Sequence, residues 1–334
     1  MPIVLGARRP DDLPAGQRGM TAVGPLRRGA EAARCLEIGL VNNMPDAALE
    51  ATERQFVEVL GAAAEGQLVR LHLFSLPQLP RGEAARAYLD LAYAPIGRIA
   101  EADLDALIVT GTEPRARSLD REPYWNALTQ LIDWAEHNTI STIWSCLAAH
   151  AAVLHLDGVK RHELEGKCFG VFPCELVGGD PLLAGAPSPF AVSHARLNEL
   201  RESELVAHGY RMLTRSPEAG VDMFAKQWRS LFVFFQGHPE YELTSIAREY
   251  RRDVGRFLRG ERASCPPLPR GYFDAASEAA LEAFTAQARK SPCADLTASY
   301  PEDLRMRPRL AEDWHAPAIA VLRNWLSYLA ERKG

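Results

Sequence analysis

Four short apolar runs separated by helix-length stretches fill the first half of the chain, and this alternation leaves few folds open. Cys35–Val41 is almost wholly apolar, as a strand buried on both faces must be. Leu68–Phe74, Leu104–Thr110 and Ser141–Ser145 read as the strands that follow. Between them, Ala47–Ala62, Glu83–Tyr93 and Tyr124–His137 carry apolar residues at helical spacing. Strands alternating with helices of this length build a parallel sheet covered on both faces. In such sheets, sites lie beyond the carboxyl ends of the strands. The Asn42-Asn-Met-Pro-Asp46 turn, the Gly111-Thr-Glu-Pro114 turn and Cys146 all fall at such ends.

The second half reads differently. Cys168–Glu175, Phe190–Val192 and Leu231–Gln236 are strand candidates, and Thr244–Leu258 is an arginine-bearing helix. A Pro-rich break at Cys265–Arg270 precedes helices at Glu278–Lys290 and Ala316–Arg332. The expected organisation is a poorly ordered lead-in at 1–34, an α/β domain at 35–264, and a helical extension at 265–334 that packs back on the same domain. A net charge of -5 supplies no basic field, so nucleic acid is not an expected partner. No apolar run is long enough for a membrane span and no signal-peptide pattern opens the chain, which points to the cytoplasm. The six cysteines follow no zinc spacing, so reduced thiols and no metal are expected.

One cysteine stands apart. In Ser141-Thr-Ile-Trp-Ser-Cys-Leu-Ala-Ala-His150 an apolar strand runs into Cys146 and small residues then open a helix. That places a thiol on a strand-to-helix turn, where the helix N-terminus favours a thiolate. A second segment, Phe234-Phe-Gln-Gly-His-Pro-Glu-Tyr241, offers His238 as a base and Glu240 as the group that orients it. Together they would make a Cys–His–Glu triad. The amides of Gly111, Thr112 and Leu147 could form an oxyanion hole, or Gly111 could serve only to make the turn tight. Lys167 sits between apolar stretches and could enter a site or face solvent. Arg252 and Thr52-Glu53 alone would be assigned to the surface, and His150 to packing or capping.

With these residues on the page, the chain resembles the homoserine O-acyltransferases of the homoserine O-succinyltransferase type, from about Leu36 to Leu329. The resemblance is carried by Val41-Asn-Asn-Met-Pro45, Glu53-Arg-Gln-Phe56, Ala106-Leu-Ile-Val-Thr-Gly111, Cys146-Leu-Ala, Gly166-Lys-Cys-Phe-Gly-Val171, Gly237-His-Pro-Glu-Tyr241, Glu249-Tyr-Arg-Arg-Asp253 and Asn324-Trp-Leu326. It implies a flavodoxin-like α/β fold of the class I glutamine amidotransferase type, with a β-rich second half and a C-terminal helical tail. It also implies ping-pong acyl transfer from acyl-CoA through a Cys146 thioester to the hydroxyl of homoserine, on the way to methionine. In that reading His238 and Glu240 act as base and orienter, and Lys167 and Arg252 bind substrate. Acyl-CoA is a co-substrate and no cofactor is needed. The partners are small molecules, and a homodimer is a family expectation.

The sequence departs from the family pattern around the substrates. Arg115 stands near the position associated with acyl choice and could favour a donor with a terminal carboxylate. Ala195 replaces the serine of a His-Ser-Arg segment, Leu147 a tryptophan, and His150 a glutamine. Acyl transfer to another amino-acid hydroxyl therefore stays open. So do a glutamine amidotransferase-like hydrolase using the same triad and a non-catalytic binding module. The hydrolase reading lacks the Gly-flanked cysteine turn, since Ser145 and Leu147 flank Cys146.

Overall fold

The computed structural model describes residues 3–5, 35–301 and 314–333. The order of elements is β1 (Ile3–Leu5), β2 (Leu36–Val41), α1 (Asp46–Ala63), β3 (Val69–Ser75), α2 (Glu83–Ala92), β4 (Ala94–Pro95), β5 (Ala106–Val109), α3 (Trp125–Asn138), β6 (Ser141–Ser145) and α4 (Leu147–Asp157). The second half continues with β7 (His162–Leu176), β8 (Phe190–Glu199), α5 (Glu202–Ala207), β9 (Arg211–Ser216), β10 (Gly220–Gln227), β11 (Leu231–Phe235), α6 (Ser245–Leu258), α7 (Ala275–Lys290) and α8 (Ala316–Lys333).

The sheet runs β1-β3-β2-β5-β6-β11-β10-β9-β7-β8, with the two-residue β4 beside β3. Pairing is parallel from β1 to β11 and antiparallel from β10 onward. The parallel strands must tolerate burial on both sides, and their composition permits it. All of Ala106–Val109 and all of Leu231–Phe235 are buried. Alternate side chains serve opposite faces, as the strand period requires. Leu107 and Val109 join a cluster under α3 and α4, whereas Ala106 and Ile108 join one under α1 and α8. A third cluster packs α6 and α7 against β7 through Phe169, Tyr250, Phe273 and Leu281.

Several expectations need amendment. Ile3–Leu5, expected in an unordered lead-in, pairs with Val69–Leu71 as β1; residues 1, 2 and 6–34 lie outside the described residues. β7, at 15 residues, extends beyond the Cys168–Glu175 expectation at both ends, and β8 extends to Glu199. Strands β9 and β10 escaped notice because polar and apolar residues are mixed in Arg211–Ser216 and Gly220–Gln227. Glu53 is not on the surface: it is 1% exposed and accepts hydrogen bonds from the hydroxyls of Tyr88 at 2.8 Å and Tyr93 at 2.9 Å. Buried carboxylates persist where such donors replace water.

α8 closes one face of the sheet. Trp325 is 1% exposed and its indole N–H donates to Ser141 Oγ at 2.8 Å, while Ser141 donates onward to the Leu231 carbonyl at 2.7 Å. The tail is thus tied to β6 and β11, the two strands that carry the candidate site. Trp325→Ala should cost about 3–5 kcal/mol through lost burial and the cavity left behind. Urea unfolding checks this; a loss below about 1 kcal/mol would show that α8 is not part of the cooperative core.

Candidate active site

The site begins with a pairing register. β6 and β11 are parallel neighbours, with Ser145 opposite Phe235. One residue beyond Ser145 is Cys146, and three beyond Phe235 is His238. The Cys146 amide donates to the Phe235 carbonyl at 2.7 Å, which locks the two strand ends together.

Cys146 caps α4 with φ 52 and ψ -114. A non-glycine residue at positive φ is uncommon and strained, and such strain clusters at functional turns. The turn lifts the thiol off the strand while aiming the first amides of α4 at the same space. The Leu147 amide, being first in the helix, has no intrahelical acceptor. Gly111, at the end of β5, lies against this turn. A Cβ there would sit 2.9 Å from the Leu147 nitrogen and 3.1 Å from its Cβ. Gly111 is therefore needed for close approach, not for an unusual φ. Thr112 follows at the edge of the cleft.

His238 is 6% exposed, and its Nδ1 is 2.8 Å from Glu240 Oε1. That bond leaves Nε2 available to Cys146, which acts on the ring electrostatically. Burial disfavours the imidazolium, but Glu240 and the charge and hydrogen bond of Cys146 outweigh it and hold His238 well above the usual histidine range. The ring therefore stays protonated through neutral pH and loses its proton only as pH rises through that raised value. Tyr241 stacks on the ring, 4.2 Å between centroids and 18° between planes.

Behind Tyr241 lies a charged network that sequence reasoning saw only in part. The Tyr241 hydroxyl donates to Glu249 Oε2 at 3.2 Å. Lys167, expected as an active-site cation, is 2.7 Å from Glu249 Oε1 and 2.8 Å from Asp253 Oδ2. Its ammonium also lies 3.9 Å above the Phe169 ring. Arg252, on α6, reaches Asp253 Oδ1 at 2.9 Å and Glu249 at 3.4 Å while remaining 43% exposed. Burial pushes the Asp253 carboxyl up, but Lys167 and Arg252 outweigh it and keep it below the usual carboxylate range. Ala195, on β8, pairs with Phe169 and packs on the third cluster; its methyl group brings no donor to the site.

Arg115 stands on the rim of a cavity of about 360 Å³ lined also by Asn43, Arg81, Thr112, Glu122 and Arg256. Its backbone N–H donates to Glu122 Oε1 at 2.7 Å, as does that of Ala116. Glu122 thus fixes the loop that presents Arg115, a role set by spatial contact and not visible in the residue pattern. Arg161, also overlooked, lies within electrostatic reach of Glu122 and Cys146.

The comparisons with known proteins bear on this arrangement. The family pattern described as HTS, homoserine O-succinyltransferase, matches residues 15–333. The chain belongs to the homoserine O-succinyltransferase family. A homoserine O-succinyltransferase of Rhodopseudomonas palustris is 56% identical over 299 residues, 90% of each chain. One from Methylorubrum extorquens is 46% identical over 97% of this chain and 96% of its own. Among solved structures, a glutamine amidotransferase from Thermotoga maritima matches 89% of this chain and 98% of its own, with a TM-score of 0.50 and 13% identity. That likeness concerns the fold, which is of the class I glutamine amidotransferase type. As a homoserine O-succinyltransferase family member, the chain is a transferase. No helix among the described residues is long and apolar enough to cross a membrane.

His150 is packed as anticipated: Nε2 is 3.1 Å from Gln236 Oε1, and burial, then the charge of Arg196, lowers it to about 3. It is therefore neutral at neutral pH. His150→Gln should leave the pH profile of Cys146 alkylation in place; a displaced profile would show that His150 shares a proton with the Cys146–His238 pair.

Proposed function

We propose that the chain transfers a succinyl group from succinyl-CoA to the hydroxyl of L-homoserine through a thioester on Cys146. The observation that carries the reading is Cys146 on its strained turn beside a His238 already aligned by Glu240, in a chain of this family. Cys146 Sγ attacks the thioester carbonyl, and the amides of Leu147 and of the Gly111–Thr112 turn stabilise the oxyanion. The C–S bond to CoA breaks, and His238 supplies the proton to the departing thiolate. The homoserine hydroxyl then gives its proton to neutral His238 and attacks the acyl carbon, and the Cys146 thiolate leaves. Glu240 holds the imidazole in one orientation and stabilises its charge in both half-reactions. No group beyond the two substrates is required.

Arg252 retains enough exposure to bind the carboxylate of homoserine, with Lys167 holding Glu249 and Asp253 in place beside it. Arg115 is assigned to the far end of the donor. An exposed guanidinium–carboxylate pair is worth about 1 kcal/mol or less. Donor preference beyond about tenfold therefore requires the cavity to close over that pair, since each 1.4 kcal/mol is about a factor of ten. The same reading carries a cytoplasmic homodimer acting in methionine formation.

Intact-protein mass spectrometry tests the chemistry. Succinyl-CoA should add one succinyl group to Cys146, homoserine should discharge it, and Cys146→Ala should abolish the adduct. Loss of the adduct in buffer alone would favour the hydrolase, and discharge by serine but not homoserine would reassign the acceptor. No adduct at all would refute the mechanism. Arg115→Glu should lower succinyl-CoA use relative to acetyl-CoA; an unchanged ratio would remove Arg115 from donor choice.

A further inference from the structure

Behind His238, three strands bury a polar chain that the reaction described above does not use. β8 supplies His194 and Arg196, β9 Thr214, and β10 Asp222, and all four are 5% exposed or less. Burial of so many polar groups is costly unless each finds a partner.

The partners define a direction. Arg196, whose outer nitrogens donate to the carbonyls of Asn198 at 2.9 Å and of Ala219, turns its Nε–H toward His194 Nδ1 at 3.4 Å. A neutral imidazole carries one proton. With Nδ1 facing a guanidinium donor, that proton belongs on Nε2, which lies 3.5 Å from Asp222 Oδ1. Asp222 Oδ2 accepts from the Thr214 hydroxyl at 2.7 Å. Oδ1 abuts Gly237 so closely that a Cβ there would lie 2.5 Å from it, so the carboxylate packs directly on the turn that carries His238. The backbone repeats the tie: Gln236 N–H donates to the Asp222 carbonyl and His238 N–H to the Ser193 carbonyl, each at 2.8 Å.

We propose that Asp222, aligned by His194 and Arg196, is a positioning residue for His238, fixing the Gly237–His238 turn and balancing the imidazolium as a second carboxylate behind Glu240. The proposal rests on the reading of His238 as the proton carrier. The charged and titratable surroundings are consistent with it. Asp222 faces His194 and Arg196 from β8, Thr214 from β9, Cys174 from β7, the His238 turn, and His315 across a small shared cavity. His238 faces Cys146, Glu240, Tyr241 with Glu249 behind it, and the His194–Asp222 pair. Burial raises Asp222 to about 6, with Thr214, Gly237, Arg196 and His238 pulling it back toward ionisation. It is therefore mainly charged at neutral pH. His194 is held well below the usual range, by burial and then by Arg196 and His238, and stays neutral.

Cys174, His194 and Asp222 also bring ligand-type atoms within 4.8 Å of one another. A metal on His194 Nε2 would need Nδ1 to carry the proton, and metal-bound histidines donate through their other nitrogen. Arg196 occupies that side as a donor, so the trio reads as a buried polar cluster and not as a metal site.

Selective ¹⁵N labelling of histidine side chains tests the proposal on the full chain. In the wild type, His194 should show the neutral form protonated on Nε2. In Asp222→Asn, which keeps the shape and removes the charge, His238 should lose its proton at a pH lower by about half a unit or more. The rate of Cys146 succinylation should fall about tenfold or more. Should that variant fail to fold, Thr214→Val, which removes one hydrogen bond to the carboxylate, should shift His238 in the same direction by less. A His238 titration unchanged in these variants, a His194 proton on Nδ1, or one equivalent of zinc that Asp222→Asn abolishes would each overturn it. The titration needs no turnover, so its outcome is separable from a failure of succinyl transfer itself.

Discussion

The parallel pairing of β6 with β11 is the constraint on which the rest of the site depends. Neither strand carries the chemistry; each ends just before it. Because Ser145 lies opposite Phe235, Cys146 and His238 emerge at the same edge of the sheet, and the bond from the Cys146 amide to the Phe235 carbonyl fixes their relative height. A one-residue slip would turn every side chain of β11 to the other face. The buried Phe232, Phe234 and Trp144 on one face, and Val233 and Phe235 on the other, make such a slip prohibitive. Core packing on both faces thus sets the position of Cys146 and His238, which belong to neither core.

Electrostatics is layered around this frame. Nearest the reacting atoms is Glu240, bonded to His238. Beyond the ring, Tyr241 transmits the position of Glu249, which is itself bound to Lys167 and Arg252. Buried ion pairs add little net stability, but removing one member leaves an uncompensated charge that costs about 3–5 kcal/mol. Such a network holds position more than it holds the fold together. Its exposed member is Arg252, which the buried Glu249 and Asp253 hold in place by ion pairs.

Much of this was legible in the sequence, and the remainder was hidden for identifiable reasons. The first four strands of the α/β half were visible because parallel strands are nearly continuous apolar runs. Cys146 was visible because a strand ran straight into it and small residues followed. His238 and Glu240 were visible as a short motif, but not their distance to Cys146, since adjacency of β6 and β11 is a property of topology. Strands β9 and β10 alternate irregularly because they pair at a bulge near Val221 and Met223. Glu53, Glu122 and Asp222 could not be told from surface carboxylates. Their burial depends on donors far away in sequence: Tyr88 and Tyr93 for Glu53, the Arg115 and Ala116 amides for Glu122, and Thr214 for Asp222.

The likeness to a glutamine amidotransferase at 13% identity shows how little of a sequence the architecture requires. What the fold provides is a crevice at the carboxyl ends of its strands, and in this chain Cys146 sits on a turn there. What it leaves open is everything that faces the substrates. In this chain the second half gathers Lys167 on β7, Ala195 on β8, and Glu249, Arg252 and Asp253 on α6. These residues are held by a core cluster of their own, separate from the two that clamp the parallel strands. Because the clusters are separate, a substitution such as alanine at 195 is absorbed in the third cluster without disturbing the register that joins Cys146 to His238. The register of β6 and β11 and the polar network on α6 are thus anchored in different cores.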